Sequence, residues 1–217
     1  MRPLTDSMPK PLLSVGGKAV LAWQLERLAR AGFRRVVINH AHLGQMIEAA
    51  LGDGSRWGLE VVYSAESEAL ESAGGIRQAL ELIAADSFAV VNGDVYSDYD
   101  YRILSERINA MQGNTGVLAH LVLVDNPQHH PGGDFFLEDG RLRSNGTGRL
   151  TFSGIAAYRR ELFEPLVPGA KYRLAPLLAE AVASGRGTGE HHRGVWYDVG
   201  TPQRLAQLDA TLRGRQG

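Results

Sequence analysis

The sequence predicts an α/β fold in which a mixed, mostly parallel sheet is covered by helices on both faces. One observation supports the fold class, and a second supports a single large domain. Over the first half of the chain, apolar residues alternate between helical spacing and short β-branched runs, which is the pattern of right-handed β-α-β crossovers. With 217 residues, of which 44% are hydrophobic, the chain is long enough to bury a core as one large domain, residues 1–217.

The alternating elements begin with a helix. Leu21, Leu25 and Leu28 fall at helical spacing, and Gly32 stands where a C-terminal cap is expected. Spacing of this kind predicts helices over residues 18–31, 43–51 and 76–83. Short β-branched runs predict strands at residues 35–38, 59–63 and 88–91. Ligands of such a sheet bind beyond the carboxyl ends of its strands, so the residues directly after each strand are candidates for a site.

The second half of the chain predicts antiparallel additions to the sheet. Strands are predicted at residues 117–124 and 150–158, and the second of these carries Gly154. Between them, Asp139 and Gly140 have the composition of a hairpin turn. Two further apolar stripes predict helices at residues 174–182 and 205–212.

Charge and composition exclude several classes of function. The formal net charge is −1 and charges of both signs are interspersed, so no positive field is available to hold a nucleic-acid backbone. The chain contains no cysteine, which excludes disulfides and thiolate metal sites. No apolar run reaches membrane-spanning length. We therefore expect a cytoplasmic protein with neither a nucleic-acid nor a membrane partner, and we leave its oligomeric state open.

Two carboxylates follow apolar strands at the edge of the sheet where ligands bind. Asp94 follows the run VVNG at 90–93, and Asp198 ends the stretch WYD before Gly200. Oxygen donors of this kind suit Mg²⁺, which usually takes only one or two protein carboxylates. Two alternatives stay open: Asp94 belongs to an ordinary turn or cap, and Asp198 caps the last helix or hydrogen-bonds a loop. The Thr201-Pro202 start of that helix already supplies capping chemistry.

Phosphate-binding candidates occur at two other places. Lys10 lies between Pro9 and Pro11, which narrow the conformations of the segment and favour a fixed cation near phosphate oxygens. Gly74 and Gly75 precede an apolar helical stripe, where backbone amides can approach a ligand. A solvated loop lysine and a plain glycine-containing loop are the alternatives.

Four segments in order resemble the signature of the sugar-1-phosphate nucleotidyltransferase family. They are MRPLTD at 1–6, PKPL at 9–12, VNGD at 91–94 and WYDVGT at 196–201. Further segments resemble the members that transfer UMP to N-acetylmuramic acid 1-phosphate in cell-wall (peptidoglycan) recycling, namely VINHA at 37–41, LGQ at 43–45, LGDGSR at 51–56, LVLVDNP at 121–127 and TFSGI at 151–155. The Glu-Lys-Pro segment of the hexose-1-phosphate members is absent where Asp125-Asn126-Pro127 stands.

The resemblance implies a Rossmann-like fold of the nucleotide-diphospho-sugar transferase type, with UTP and a sugar 1-phosphate as substrates and Mg²⁺ as cofactor. Asp94 and Asp198 would hold the metal, and Lys10 would neutralise the triphosphate. The nucleotide would also contact Asn92, Gly74 and Gly75. By the same resemblance, the sugar would contact Asn126, Asp134 and Gly154.

The chain departs from the family at its N-terminus. Family members begin with an apolar strand and a Gly-x-Gly-x-Arg loop that cradles the triphosphate, whereas this sequence begins at the MRPLT that follows that loop. We expect either a start codon assigned too late or a truncated chain with little activity. The alternatives to a uridylyltransferase are an inactive nucleotidyltransferase-like binding or regulatory protein, and a hexose-1-phosphate nucleotidyltransferase that uses dTTP or GTP.

Overall fold

The computed structural model describes residues 1 and 3–214. Its helices are α1 (Leu4–Ser7), α2 (Val20–Arg30), α3 (Gly44–Leu51), α4 (Glu71–Ala79), α5 (Tyr101–Gln112), α6 (Leu174–Ala183) and α7 (Pro202–Gly214). Its strands are β1 (Ser14–Val15), β2 (Lys18–Ala19), β3 (Arg35–His40), β4 (Glu60–Ala65), β5 (Ser87–Val91), β6 (Val95–Ser97), β7 (Ala119–Val124), β8 (Phe136–Glu138), β9 (Arg141–Arg143), β10 (Thr151–Arg159), β11 (Gly187–His191) and β12 (Trp196–Asp198). No helix among the described residues is both long and apolar enough to cross a membrane.

The chain forms two compact units, each assembled from separate stretches of sequence. Unit 1 comprises Met1–Ala69, Asn92–Tyr101 and Val195–Gly217. Unit 2 comprises Leu70–Val91 and Arg102–Gly194. The grouping of residues 1–217 into one functional domain stays a prediction.

Unit 1 contains a β-α-β crossover and two short antiparallel pairs, β1–β2 and β6–β12. Strands β3 and β4 are parallel and are joined through α3, as the alternating pattern predicts. Leu21 and Leu25 of α2 pack with Ile38 of β3 and Ile47 of α3 in one apolar cluster. A second cluster joins β6, β12 and α7 to the other side of α2, and its buried members are Leu13, Val15, Val20, Tyr96, Val199, Leu208 and Leu212.

Unit 2 is built on a six-stranded mixed sheet with the order β5-β10-β7-β11-β9-β8. Strand β10 is antiparallel to both β5 and β7, whereas β7 and β11 are parallel. Strands β5, β7 and β11 therefore run in the same direction. The antiparallel neighbours β8, β9 and β10 all come from the second half of the chain, where the sequence predicts antiparallel additions.

Helices cover both faces of this sheet. Leu121 and Leu123 of β7 belong to the cluster that contains Leu178 of α6 and Ile76 of α4. Because neighbouring side chains of a strand point to opposite faces, His120 lies on the other face, where it lines a cavity together with side chains of α5. The predicted two-faced covering is thus present in unit 2.

Turn geometry confirms the glycine signals of the sequence. Asp139 and Gly140 have φ values of 50° and 73° and connect β8 to β9 as a two-residue hairpin turn. Gly32 ends the first long helix with φ 93°. Gly154 has φ 78° and lies where the register of β10 with β7 shifts. A side chain at any of the three glycine positions is disfavoured.

Some elements differ from the sequence predictions. The helix predicted over 18–31 begins at Val20, because Lys18 and Ala19 form β2 and pair with β1. Helix α5 and strands β6 and β11 were not predicted. Leu104, Ile108 and Met111 of α5 are buried, and their helical spacing is a signal that identifies this helix.

Candidate active site

A tight turn places Asp94 between β5 and β6. The backbone N–H of Val95 donates to the carbonyl of Asn92 at 3.1 Å, which closes the turn. Gln24 of α2 is only 4% exposed, and its side-chain amide donates to the carbonyls of Asn92 and Val95. A buried amide that is fully engaged in this way holds the turn firmly, because breaking either bond would leave a polar group unsatisfied.

The proline-flanked lysine packs against this turn. A Cβ added at Gly93 would lie 3.2 Å from Cγ of Pro11, so glycine at this position allows the two segments to approach closely. The Nζ of Lys10 lies 3.7 Å from Oδ2 of Asp94, and the two side chains are 43% and 33% exposed. An ion pair this exposed adds little to stability, so both groups can turn toward a charged ligand at low cost.

Asp198 stands on the strand that pairs with β6. Strands β6 and β12 are antiparallel, with Asp198 opposite Val95. The next residue continues the pairing, because the N–H of Val199 donates to the carbonyl of Asp94 at 2.8 Å. Asp94 and Asp198 therefore lie on adjacent, hydrogen-bonded segments.

Arg204 of α7 holds the carboxylate of Asp198. Its Nη1 lies 2.7 Å from Oδ1 and 3.0 Å from Oδ2 of Asp198. A Cβ at Gly200 would collide with the Arg204 guanidinium, so glycine there makes room for the pair. Thr201 caps α7 by accepting from the N–H of Arg204 at 3.2 Å. Asp198 is therefore not needed as the cap, which removes one of the two alternatives for this residue.

The carboxylates of unit 1 suit a cation that needs few protein ligands. Within residues 1 and 3–214, no group of three or more His, Cys, Asp or Glu side chains is arranged to hold a metal. Mg²⁺ usually binds through one or two carboxylates while phosphate and water oxygens fill its other positions. Asp94 and Asp198 are therefore of the kind and number of ligands that Mg²⁺ takes, and their role as its ligands stays a prediction.

Gly74 and Gly75 lie inside the first turns of α4 in unit 2, and both are buried. A Cβ at Gly74 would collide with the carbonyl oxygen of Ala170, so the residue is also required for packing. The carbonyl of Tyr172 accepts from the N–H groups of Ala73 and Gly74 at 3.0 and 3.2 Å. The backbone amides of Ala73 and Gly74 are therefore engaged by the chain and are not directed at a ligand.

The residues expected to contact the sugar also form bonds within unit 2. Asn126 donates to the carbonyls of Pro131 and Arg149 at 3.1 and 3.0 Å, and its Oδ1 accepts from Thr151 at 2.9 Å. Asp134 accepts from the N–H of Phe152 at 2.8 Å and contacts His130 at 2.9 Å. Both side chains shape the loop between β7 and β8, and their role toward a sugar stays a prediction.

The predicted residues thus divide between the two units. Unit 1 brings together Lys10, Asn92, Asp94 and Asp198. Unit 2 contains the remaining predicted residues, which are Gly74, Gly75, Asn126, Asp134 and Gly154.

Two residues of the unit 1 site were not predicted. Gln24 falls within the apolar spacing of Leu21 and Leu28, and a polar residue on a buried helix face is a detectable signal. Arg204 lies in the first turn of α7, six residues after Asp198, and only the folded strand-to-helix connection brings its guanidinium to that carboxylate.

Comparison with known proteins identifies the family. The family model described as nucleotidyl transferase matches residues 1–130. The chain is 48% identical to N-acetylmuramate alpha-1-phosphate uridylyltransferase of Neisseria meningitidis, over 97% of this chain and 92% of that one. It is 31% identical to the protein of the same name from Caulobacter vibrioides, over 98% and 91% of the two chains.

A solved structure supports the same assignment at the level of fold. A Bacillus anthracis protein described as a glucose-1-phosphate thymidylyltransferase superposes with a TM-score of 0.84 at 19% identity, over 98% of this chain and 90% of that one. This likeness confirms the nucleotide-diphospho-sugar transferase fold that the signature segments imply. On the sequence and family matches together, the chain belongs to the nucleotidyl transferase family.

Proposed function

We propose that this protein transfers UMP from UTP to a sugar 1-phosphate, with N-acetylmuramic acid 1-phosphate as the preferred acceptor and Mg²⁺ as cofactor. The observation that carries the proposal is that Lys10 lies 3.7 Å from Asp94 and that Asp198 stands on the strand paired with the segment that follows Asp94 in unit 1. The 48% identity to the Neisseria uridylyltransferase over 97% of the chain supports UTP and this acceptor. The products are a UDP-sugar and pyrophosphate, a reaction that serves cell-wall recycling.

The chemistry needs positioning and charge neutralisation more than proton transfer. An oxygen of the sugar phosphate attacks the α-phosphorus of UTP in line with the bond to the β-phosphate. That phosphorus–oxygen bond breaks, and its electron pair leaves with pyrophosphate. Because the attacking oxygen is already anionic, neither a general base nor a covalent intermediate is required. The barrier falls when the reacting groups are aligned and the negative charge of the phosphates is balanced.

The residues of unit 1 have distinct parts in this reaction. Lys10 directs its ammonium to the phosphates as a point charge, and the exposure of its side chain leaves it free to reorient. Asp94 and Asp198 hold the metal, and Arg204 keeps the Asp198 carboxylate in place. When bound, Mg²⁺ neutralises phosphate oxygens and orients the leaving group. Gln24 keeps the Asp94 turn from moving as the charges change.

The remaining assignments rest on the family resemblance. Asn92, Gly74 and Gly75 lie along the nucleotide, and Asn126, Asp134 and Gly154 along the sugar. The side chains of Asn126 and Asp134 are hydrogen-bonded within unit 2. We therefore assign to them mainly the role of shaping the loop between β7 and β8, and only secondarily direct contact with the sugar.

The proposal is tested by pyrophosphate release with Mg²⁺ and each pairing of UTP, dTTP or GTP with N-acetylmuramic acid 1-phosphate or glucose 1-phosphate. We expect the highest kcat/KM for UTP with N-acetylmuramic acid 1-phosphate. Lys10→Ala should lower that value by roughly 100-fold, which corresponds to the loss of one charged contact in the transition state. Lys18→Gln is the matched control, because Lys18 pairs with Glu26 at 2.8 Å, outside this site.

Each other result has a definite reading. Higher kcat/KM with dTTP or GTP and glucose 1-phosphate would reassign the substrate within the family. The absence of turnover with every pair, together with measurable UTP binding, would favour a nucleotide-binding protein without transferase activity. An equal loss in the Lys10 and Lys18 variants would remove Lys10 from the mechanism.

A further inference from the structure

A buried histidine in unit 2 is not used by the proposed reaction. His120 is the second residue of β7, pairs in register with Thr188 of β11 and is only 5% exposed. Its Nδ1 lies 2.9 Å from Oγ1 of Thr188. The Thr188 hydroxyl in turn donates toward the carbonyl of Ala119 at 3.4 Å. This chain of bonds assigns the hydrogen to Nδ1 and leaves Nε2 as a hydrogen-bond acceptor.

The second ring nitrogen of His120 is buried without a partner. Its Nε2 has no hydrogen-bond partner among the residues that the structure describes. The nearest carboxylate oxygen, Oε2 of Glu190, lies 3.5 Å away. That same oxygen already accepts from Nε and Nη2 of Arg107 at 3.2 and 3.0 Å. Because buried polar atoms are rarely left unsatisfied, this nitrogen points to a partner from outside the chain.

A cavity of about 250 Å³ adjoins His120. Side chains of Arg107 and Met111 from α5, together with Asn114, form one wall, and Thr188 and the hairpin residue Gly140 form the other. The volume far exceeds the roughly 30 Å³ of a water molecule and lies just below the range of small-molecule sites. The cavity is therefore large enough for a compact metabolite.

The position of the cavity separates it from the sugar residues predicted in the same unit. His120 and Thr188 stand near the amino ends of the parallel strands β7 and β11. Asn126 follows the carboxyl end of β7, which is the edge where substrates of α/β sheets bind. None of the unit 2 residues assigned to nucleotide or sugar lines this cavity.

The lining indicates the chemistry of the ligand. Arg107 provides a positive charge, its side chain is 49% exposed, and its bonds to Glu190 use Nε and Nη2 but not Nη1. None of the described lining residues is acidic. An anionic group therefore suits the Arg107 side of the cavity, and a hydroxyl that donates to Nε2 suits the His120 side. Met111 provides an apolar surface for a short carbon skeleton.

We propose that this cavity is a second ligand site that binds a small hydroxylated anion, with Arg107 on the anionic group and His120 on the hydroxyl. None of the residues assigned to the transferase reaction lines this cavity, so its occupant is a ligand distinct from the substrates of the proposed reaction. Phosphate and carboxylate compounds share the chemistry that the lining recognises, and the experiment separates them.

The test is isothermal titration calorimetry of the full chain with glycerol 3-phosphate and with glycerate. Inorganic phosphate, which lacks a carbon-bound hydroxyl, and glycerol, which lacks the anion, serve as controls. We expect saturable binding of at least one hydroxylated anion and at least tenfold weaker binding of both controls. Binding of glycerol 3-phosphate alone would identify a phosphate ligand, and binding of glycerate alone a carboxylate ligand.

Two variants connect the binding to the cavity. Arg107→Gln should weaken binding by roughly tenfold or more, as expected for the loss of a charge-assisted bond. Arg143→Gln is the matched control, because Arg143 is 47% exposed and also pairs with a glutamate of unit 2. His120→Gln should weaken binding of the hydroxylated anion without changing that of inorganic phosphate.

Three results would overturn the proposal. One is that neither hydroxylated anion binds at millimolar concentration, which would mean that water alone satisfies Nε2. Another is that inorganic phosphate binds as tightly as glycerol 3-phosphate. The third is that Arg143→Gln weakens binding as much as Arg107→Gln.

Discussion

The turn at Asn92–Val95 and the loop that begins at Asn126 each follow a buried strand of the same sheet, yet their polar side chains are used differently. In the turn, Asp94 keeps a third of its side chain exposed and has only a loose contact with Lys10 at 3.7 Å. In the loop, the side-chain amide nitrogen and oxygen of Asn126 are both hydrogen-bonded to other residues of the chain. The turn leaves a charged group partly exposed, whereas the loop uses its polar groups to maintain its own shape.

The difference shows that position after a strand does not by itself make a residue available to a ligand. The turn is stabilised from behind by Gln24, a residue of another element, so Asp94 is not needed for its structure. The loop is stabilised by side chains of its own, Asn126 and Asp134. We therefore expect substitutions at the turn to reduce catalysis and substitutions in the loop to reduce folding stability.

Removing either carboxylate of unit 1 should have the largest effect. We expect Asp94→Asn and Asp198→Asn each to lower kcat for uridyl transfer by roughly 1,000-fold, because a neutral amide binds Mg²⁺ poorly and the phosphate charge is left unbalanced. Pyrophosphate release at saturating Mg²⁺ measures the loss. Asp139→Asn is the control, since Asp139 occupies a hairpin turn in which asparagine is equally suited. Retention of more than a tenth of the activity would exclude the residue from the metal site.

Arg204→Gln should have the next largest effect. We expect a loss of roughly 10- to 100-fold in kcat/KM, typical of residues that orient a metal ligand, with partial recovery in Arg204→Lys. Titration with Mn²⁺ in the presence of UTP reports on the metal site separately from turnover. Arg213→Gln is a matched control on the same helix, where Arg213 pairs with Asp209 at 2.8 Å. Equal behaviour of the two variants would make Arg204 a structural residue only.

Asn126→Ala should affect folding more than catalysis. The change removes the donors to Pro131 and Arg149, and we expect a loss of about 1 kcal/mol in the free energy of unfolding because these bonds are exposed. Urea unfolding measures this value. Asn145→Ala is the control, in an exposed stretch between β9 and β10. Unchanged stability together with a raised KM for the sugar phosphate would show that Asn126 is a ligand-binding residue after all.

Asp209→Asn should have the smallest effect, a slight loss of folding stability that is present only above acidic pH. The N–H of Gly16 and the guanidinium of Arg213 lower the pKa of Asp209 below its ordinary value of 3.8. Because the folded pKa is the lower one, the carboxylate stabilises the protein above about pH 4, and this contribution is lost as pH falls through the folded pKa. The melting temperature of the variant should therefore be slightly below wild type at pH 7 and equal to it near pH 2. A difference that is constant with pH would contradict this account.

Much of the fold follows from local signals in the sequence. Leu21, Leu25 and Leu28 predict α2, and the Asp139-Gly140 turn predicts the hairpin, because helical spacing and positive φ are properties of neighbouring residues. The start of α2 is misplaced, since the pairing of Lys18–Ala19 with Ser14–Val15 depends on a contact outside the helix. The separation into two units is likewise invisible in the sequence, because each unit is assembled from distant stretches.

The sequence by itself determined the α/β class and the family signature, and it predicts Lys10, Asp94 and Asp198 as the charged residues of the site. Spacing, strand ends and side-chain chemistry are sufficient for those conclusions. Only the tertiary structure decided which polar groups remain available, because hydrogen-bond partners such as Gln24 for the Asp94 turn and Arg204 for Asp198 come from other elements. Only the tertiary structure reveals the buried His120 and its cavity as well, because burial and the lack of a hydrogen-bond partner result from packing and not from local sequence.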